Sequence, residues 1–172
     1  MADENNIISD LDLNNQPNGE DNGPAAGIIS QYIKDLSVEN PNSPQCFSWQ
    51  EAPQIDVQFN ISAQRVDDEI HEVELKVVVT AKTSEGTAYV VDLSYGGLIG
   101  IRQLDDNTAH AFLFAEAPRI LFPFARRIVA DSVRDAGFTP LMLDPIDFNG
   151  LYIQQLTAQA EQQAIQEPVG NA

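Results

Sequence analysis

Apolar and polar side chains alternate with a period of two in four stretches of the first hundred residues, and the period then changes to three and four. Residues 31–39 (QYIKDLSVE) form the first stretch. Ile55, Val57, Phe59 and Ile61 form the second. Val73, Leu75, Val77, Val79 and Ala81 form the third, with Glu72, Glu74 and Lys76 on the opposite parity. The fourth runs from Thr87 to Leu98. Side chains on a strand alternate faces, so each set predicts a strand with one apolar and one polar side. The connections VDDE at 66–69 and Ser84-Glu85-Gly86 are short and rich in turn residues, which predicts antiparallel hairpins.

Helical spacing begins after residue 103. In PRILFPFARRIVADSVRDAGF (118–138), Phe122, Ala125, Val129, Val133 and Ala136 recur at intervals of three and four. Pro118 suits the first helical position, Pro123 falls within the first turn or so, and Gly137 is placed as a C-terminal cap. A last helix is expected from Asp147 as N-cap through FNGLYIQQLTAQAEQQ, with Phe148, Leu151, Tyr152 and Leu156 on one side. Strands followed by helices, without strand–helix–strand alternation, predict an α+β fold around an antiparallel sheet. No repeat of solenoid period is present.

The ends read differently. Residues 1–30 hold six acidic and no basic side chains and the stretch NNQPNGEDNGPAAG, a composition that predicts a disordered acidic N-terminal arm. Residues 31–160 form one domain, and 161–172 read as a flexible C-terminal tail. Within the domain, residues 40–54 (NPNSPQCFSWQEAPQ) make a long connection with three prolines, yet it carries Phe47 and Trp49. Large aromatics in a proline-stiffened loop are expected to pack, either pinning the loop to its own sheet or walling a groove.

Charge narrows the partners. The 172 residues include 26 acidic and 9 basic side chains, a net charge of -17, with 43% apolar residues available for a core. All nine basic residues lie between Lys34 and Arg134. Such a surface repels phosphates and anionic lipid heads and attracts basic segments, so nucleic acid is not an expected partner. MADENNIISDLDLNN has no basic n-region and no apolar h-region, so a signal peptide is not expected, and no run of about 18 apolar residues predicts membrane insertion. The single cysteine, Cys46, forms no internal disulfide and fits a reducing, cytoplasmic setting.

Catalytic constellations are missing. His71 and His110 lie in no metal-ligand spacing; the first is expected on a polar strand face and the second on a helix. Cys46 has no histidine near it in sequence. Gly96-Gly97 and Gly100 lack the lysine of a phosphate loop and the full dinucleotide fingerprint, so turn geometry accounts for them. Asp67-Asp68-Glu69 is too short for a calcium loop and reads as a hairpin turn. No enzyme, metal or other cofactor is expected.

Three segments then carry a family likeness, in order along the chain. YIKDLSVENPNSP (32–44), GTAYVVDLSYGGLIGI (86–101) and APRILFPFARRIVADSVRDAGFTPLMLDPIDFNGLY (117–152) closely resemble the SecB family of export chaperones. The resemblance covers about residues 31–160. It implies a four-stranded antiparallel sheet with helices packed on one face, assembled as a homotetramer that is a dimer of dimers. It also implies a cofactor-free chaperone that holds unfolded secretory precursor proteins and delivers them to the motor SecA. Carried onto this chain, the SecA-binding residues are Asp35, Glu39, Val90 and Asp92, and the tetramer contacts map to Val91, Leu93 and Tyr95. Strand parity agrees with that division, since Asp35 and Glu39 share a face, as do Val90 and Asp92, while Val91, Leu93 and Tyr95 point oppositely. By family analogy, together with the aromatics that lie outside strand alternation, the client groove is assigned to Phe47, Trp49, Leu141, Ile146, Phe148 and Tyr152. A Gln-rich, sparsely acidic tail and a long arm depart from the family pattern. The rival reading is a dedicated secretion chaperone or acidic adaptor for a single effector.

Overall fold

Period-two alternation becomes four long strands in one antiparallel sheet. The computed structural model describes residues 23–166, with side chains described for 23–163. The strands are β1 (Ala25–Glu39), β2 (Gln54–Arg65), β3 (Ile70–Thr83) and β4 (Gly86–Arg102), in the spatial order β1-β4-β3-β2. The β2–β3 and β3–β4 connections are the two expected hairpins. Odd-numbered positions of β3 and β4 face inward: Val73, Leu75, Val77, Val79, Val91 and Leu93 are fully buried. Glu74, Lys76, Val90 and Asp92, at even-numbered positions, face outward and are only partly covered.

β1 starts at Ala25, six residues before the boundary expected for the arm, because Ala25 to Ser30 continue the pairing with β4 as far as Arg102. Residues 1–22 of the expected arm lie outside the described residues. The alternation of β1 is interrupted by irregularities between Ile28 and Ser30 and between Ile33 and Asp35. The second irregularity puts both Lys34 and Asp35 on the outer face, a kink that strict alternation did not foresee.

The inner face is closed by one continuous helical run. Asp105 caps its start by accepting hydrogen bonds from the Thr108 N–H (3.0 Å) and hydroxyl (2.6 Å). Helix α1 (Asp106–Ala111) passes through a π-helical turn, Phe112–Glu116, into α2 (Ala117–Asp135). Pro118 therefore does not open the run, which begins twelve residues earlier. The widened turn before it fits a residue that lacks an N–H and whose ring crowds the carbonyl four residues back. Leu121, Phe122, Ala125, Ile128, Val129 and Val133 of α2 are buried against the sheet. At its end, the Phe138 N–H bonds the Val133 carbonyl and the Gly137 N–H that of Arg134, with Gly137 at φ 94°. That pattern is a Schellman cap, which requires the left-handed conformation glycine adopts.

Helix α3 (Phe148–Gln166) starts as expected, with Asp147 Oδ1 accepting from the Gly150 N–H at 3.0 Å. It continues six residues into the segment expected to be a flexible tail, since Ala, Gln and Glu are good helix formers. Residues 167–172 lie outside the described residues.

The Gly96-Gly97 pair lies inside β4 and not in a turn. On the outer face a Cβ at Gly96 would stand 2.8 Å from the Tyr32 ring, and on the inner face a Cβ at Gly97 would stand 2.9 Å from Leu121. Each glycine admits a large side chain from a neighbouring element, one on each face of the sheet.

Candidate functional site

Helix α2 lies mainly over β4 and β3, and the inner side of β2 is covered less, by the π-helical turn and by Phe122, whose ring stands edge-on to Phe59 at 6.1 Å. Ile55 and Phe59 consequently stay 39% and 37% exposed, although their parity is that of the core. Residues 138–147 return opposite them after the Gly137 cap. Phe138 turns inward onto Tyr89 and Phe47, with ring centroids 4.8 and 5.2 Å away.

The 40–54 connection is held from both sides. Asn42 Nδ2 donates to the Thr87 carbonyl (2.9 Å) and Asn40 Nδ2 to the Ala136 carbonyl (3.1 Å), while Cys46 is buried beneath the loop. Phe47 then lies over Gly137, where a Cβ would come within 2.9 Å of its ring. Trp49 packs against the core while still lining the surface. The loop is pinned and walls a hollow at the same time.

Two hollows result. The first, of about 260 Å³, is lined by Phe47, Trp49, Pro53, Phe138 and Thr139. The second, of about 350 Å³, is lined by Ile55, Val57, Phe59, Leu141, Met142 and Ile146. Pro53 and Ile55 stand two residues apart on one wall, and Thr139 and Leu141 two apart on the other, so the hollows run on as one groove along β2. At about 3.3 Å per residue, the stretch from Pro53 to Phe59 spans roughly 20 Å, enough for an extended segment of about six residues. Its rim is acidic. Glu51 accepts bonds from the Ser84 hydroxyl (2.6 Å) and N–H (2.9 Å), which lower its pKa, and Asp144 lies at the other end.

Four of the six expected groove residues line these hollows: Phe47, Trp49, Leu141 and Ile146. Phe148 does not. It is 2% exposed, its ring edge-on to Phe122 at 5.6 Å, because the first turn of α3 directs it beneath the loop. Tyr152 lines neither hollow; its hydroxyl stands 2.8 Å from His110 Nδ1, tying α3 to α1. The groove residues missed in the sequence are Ile55, Val57, Phe59 and Phe138, with Met142, which is 60% exposed. No local signal marks the first three, since Ile55, Val57 and Phe59 alternate as core residues do.

The outer face carries the second candidate surface. Glu39 lies opposite Val90, Ser37 opposite Asp92 and Asp35 opposite Ser94, so all four expected docking residues share that face. Asp35 and Glu39 are exposed and make no ion pair among the described residues. Asp92 Oδ1 lies 3.3 Å from Lys76 Nζ. At the other end of the face, Tyr32 and Lys34 reach across Gly96 to β3. Glu72 there accepts from the Tyr32 hydroxyl (2.5 Å), Lys34 Nζ (2.9 Å) and Gln64 Nε2 (2.5 Å), and Lys34 also pairs with Glu74 at 3.1 Å. Lys34, and after it Tyr32, hold the Glu72 carboxyl at a pKa of about 2, while Glu72 and Glu74 push that of Lys34 up.

Val91, Leu93 and Tyr95 are not positioned to meet a second copy. Val91 and Leu93 have no exposure, and Tyr95, 6% exposed, stacks on Phe124 of α2 at 6.4 Å. Their parity is as expected, but the helix layer of the same chain covers them. His71 also shares the inner parity, opposite Ile99, and not the polar face expected for it. Among the described residues no cluster of His, Cys, Asp or Glu could hold a metal ion, and no helix is long and apolar enough to cross a membrane.

Hollows with exposed apolar residues thus lie on one side of the sheet and a polar, partly open face on the other. Residues 19–159 match the family described as preprotein translocase subunit SecB. The protein-export protein SecB of Novosphingobium aromaticivorans is 63% identical, and that of Erythrobacter litoralis 58%, each over 100% of both chains. A SecB-like chaperone of Mycobacterium tuberculosis, solved in complex with a peptide from an antitoxin, shares the fold at a TM-score of 0.57. It is 14% identical over 70% of this chain and 87% of its own. Full-length identity at this level, on a fold with this groove, places the chain in the SecB family of protein-export chaperones.

Proposed function

We propose that the chain holds unfolded secretory precursors in the β2 groove and delivers them to SecA by way of the outer sheet face, in the cytoplasm and without catalysis or a cofactor. The observation that carries the reading is the pair of neighbouring hollows beside edge strand β2, with Phe47, Phe59 and Met142 exposed at them. Apolar contact is non-directional and contributes roughly 25 cal/mol per Å² buried before ordering costs are subtracted, so it accepts many sequences. The acidic rim, Glu51 and Asp144, favours clients with basic residues beside their apolar ones.

Docking draws on different physics. One exposed ion pair contributes about 0.2–1 kcal/mol, so a single carboxylate does not hold a partner. Asp35, Glu39 and Asp92, assisted by Val90 and repeated by the symmetry of a dimer of dimers, reach useful affinity through multivalency. In that assembly Val91, Leu93 and Tyr95 act from beneath, by seating α2. Exposed Ile33, Leu36, Val38 and Phe124 supply apolar surface at the β1 edge for a second copy.

Titrating several unrelated unfolded precursors and purified SecA against the chain tests both halves. Met142→Ser with Phe47→Ser is expected to lower precursor retention with SecA binding intact; Asp35→Lys with Asp92→Lys is expected to do the reverse. Retention of only one precursor type would favour a dedicated adaptor, and undiminished holding by the groove variant would remove the groove assignment.

A further inference from the structure

The four docking residues are not equally open. Asp35 and Glu39 are exposed and make no ion pair among the described residues, whereas Asp92 already has a cation beside it, Lys76 Nζ at 3.3 Å from Oδ1. The pair is a poor one. Asp92 Oδ1 is shut off from water yet accepts no hydrogen bond, so Lys76 neutralises the carboxylate without saturating it. The Lys76 side chain is 43% exposed, which leaves its flexible stem free to swing away. The outer-face lysine of the other end, Lys34, is different: two carboxylates fix it, Glu72 at 2.9 Å and Glu74 at 3.1 Å. It is tied across β4 to two carboxylates of β3.

Resting on the reading of this face as a docking surface for a basic partner, we infer that Lys76 is a built-in competitor that occupies Asp92 until a partner's lysine or arginine displaces it. The displaced contact is a weak charge contact; the incoming cation can donate the hydrogen bond that Asp92 lacks. Such a placeholder keeps the carboxylate compensated between encounters and sets a threshold. A lone cation gains little by the exchange, while a basic segment that also engages Asp35 and Glu39 gains at each position. Lys76 is thus a specificity-determining residue for the docking site, acting through Asp92.

Lys76→Gln removes the competitor. Lys82→Gln is the matched control, because Lys82 lies on the same face of β3 but opposite Thr87, five positions and about 17 Å along β4 from Asp92. Both variants change net charge equally. Binding of purified SecA, measured by calorimetry across a salt series, is expected to tighten about two- to five-fold for Lys76→Gln and less for Lys82→Gln, the size of one exposed pair. The gain is expected to vanish in an Asp92→Asn background, giving a non-additive double-mutant cycle. Equal gains for the two lysine variants, or a gain that survives Asp92→Asn, would show bulk charge alone and overturn the inference. Weaker binding by Lys76→Gln would overturn it too, making Lys76 a contact. If Asp92→Asn leaves SecA binding unchanged in the unaltered chain, the docking reading itself fails, a result distinct from the others. Thermal melts of each variant separate these outcomes from loss of fold.

Discussion

The two faces of this one sheet are built from the same strands by alternate residues, yet they solve opposite problems. On the inner face Val73, Leu75, Val77, Val91 and Leu93 are fully buried in one hydrophobic cluster with α2. On the outer face polar groups are satisfied at one end, by the Tyr32–Lys34–Glu72–Gln64 network over Gly96, and left open at the other, at Asp35 and Glu39. Packing density makes the inner face intolerant of change, because a missing methylene leaves a void. Solvent makes the open end of the outer face tolerant, because water replaces whatever is removed. On the reading proposed above, recognition sits where stability does not depend on the side chain, and in the hollows beside β2.

The inner face should break hardest. Leu121 is fully buried and fills the space that Gly97 leaves. Leu121→Ala is expected to lose about 2–5 kcal/mol in urea denaturation, from transfer and cavity terms together. A loss below about 1 kcal/mol would mean that α2 resettles on the sheet and that Gly97 is not matched to Leu121.

Much of this division was readable from alternation alone. Val73 to Ala81 and the parity of Val90 and Asp92 against Val91 and Leu93 are local properties of a strand, so period two reports them directly. The groove was half readable. Phe47, Trp49, Leu141 and Ile146 stand out as apolar residues in loops, but Ile55, Val57 and Phe59 look like ordinary core, and only the lateral offset of α2 exposes them. Phe148 and Met142 are both apolar and six residues apart; the phase of α3 buries one and the loop exposes the other, which no local pattern encodes. Gly96-Gly97 read as a turn because close approach is a property of Tyr32 and Leu121, far away in sequence. Helical signals after residue 103 and a helix at His110 were legible, but their continuity with the next helix was not, because Pro118 imitates a first helical position when the turn before it is π-helical.

The closed end of the outer face should give an intermediate effect, and one that depends on pH. Glu72 has a folded pKa of about 2, below the unfolded value near 4.3, chiefly because Lys34 and Tyr32 bond its charged form. A group with a depressed folded pKa stabilises above its unfolded pKa and loses that contribution as pH falls toward the folded one. Glu72→Gln is expected to lower stability at pH 7 by about 1–3 kcal/mol, the range for hydrogen bonds to a charged group. The gap in Tm between the two proteins should then close as pH falls from about 4.5 toward 2. A gap that stays constant down to pH 3 would show that the network contributes by shape and not by charge.

The open end should give the smallest change in stability, and that is what separates it from the rest of the sheet. Asp35 is exposed, lies opposite Ser94 on the outer face, and makes no ion pair among the described residues. Asp35→Asn therefore breaks no ion pair among the described residues, and the expected change in denaturation midpoint corresponds to less than about 0.5 kcal/mol. Removing one charge from a chain of net charge -17 also slightly relieves self-repulsion, so the sign of the small change should be toward greater stability at low salt. SecA binding by the same variant is expected to weaken and to lose part of its salt dependence. A substitution that is silent in the melt and visible in the titration marks a side chain kept for recognition. If Asp35→Asn instead lowers the melt as Glu72→Gln does, the open end is part of the same structural network, and the contrast between the two ends disappears.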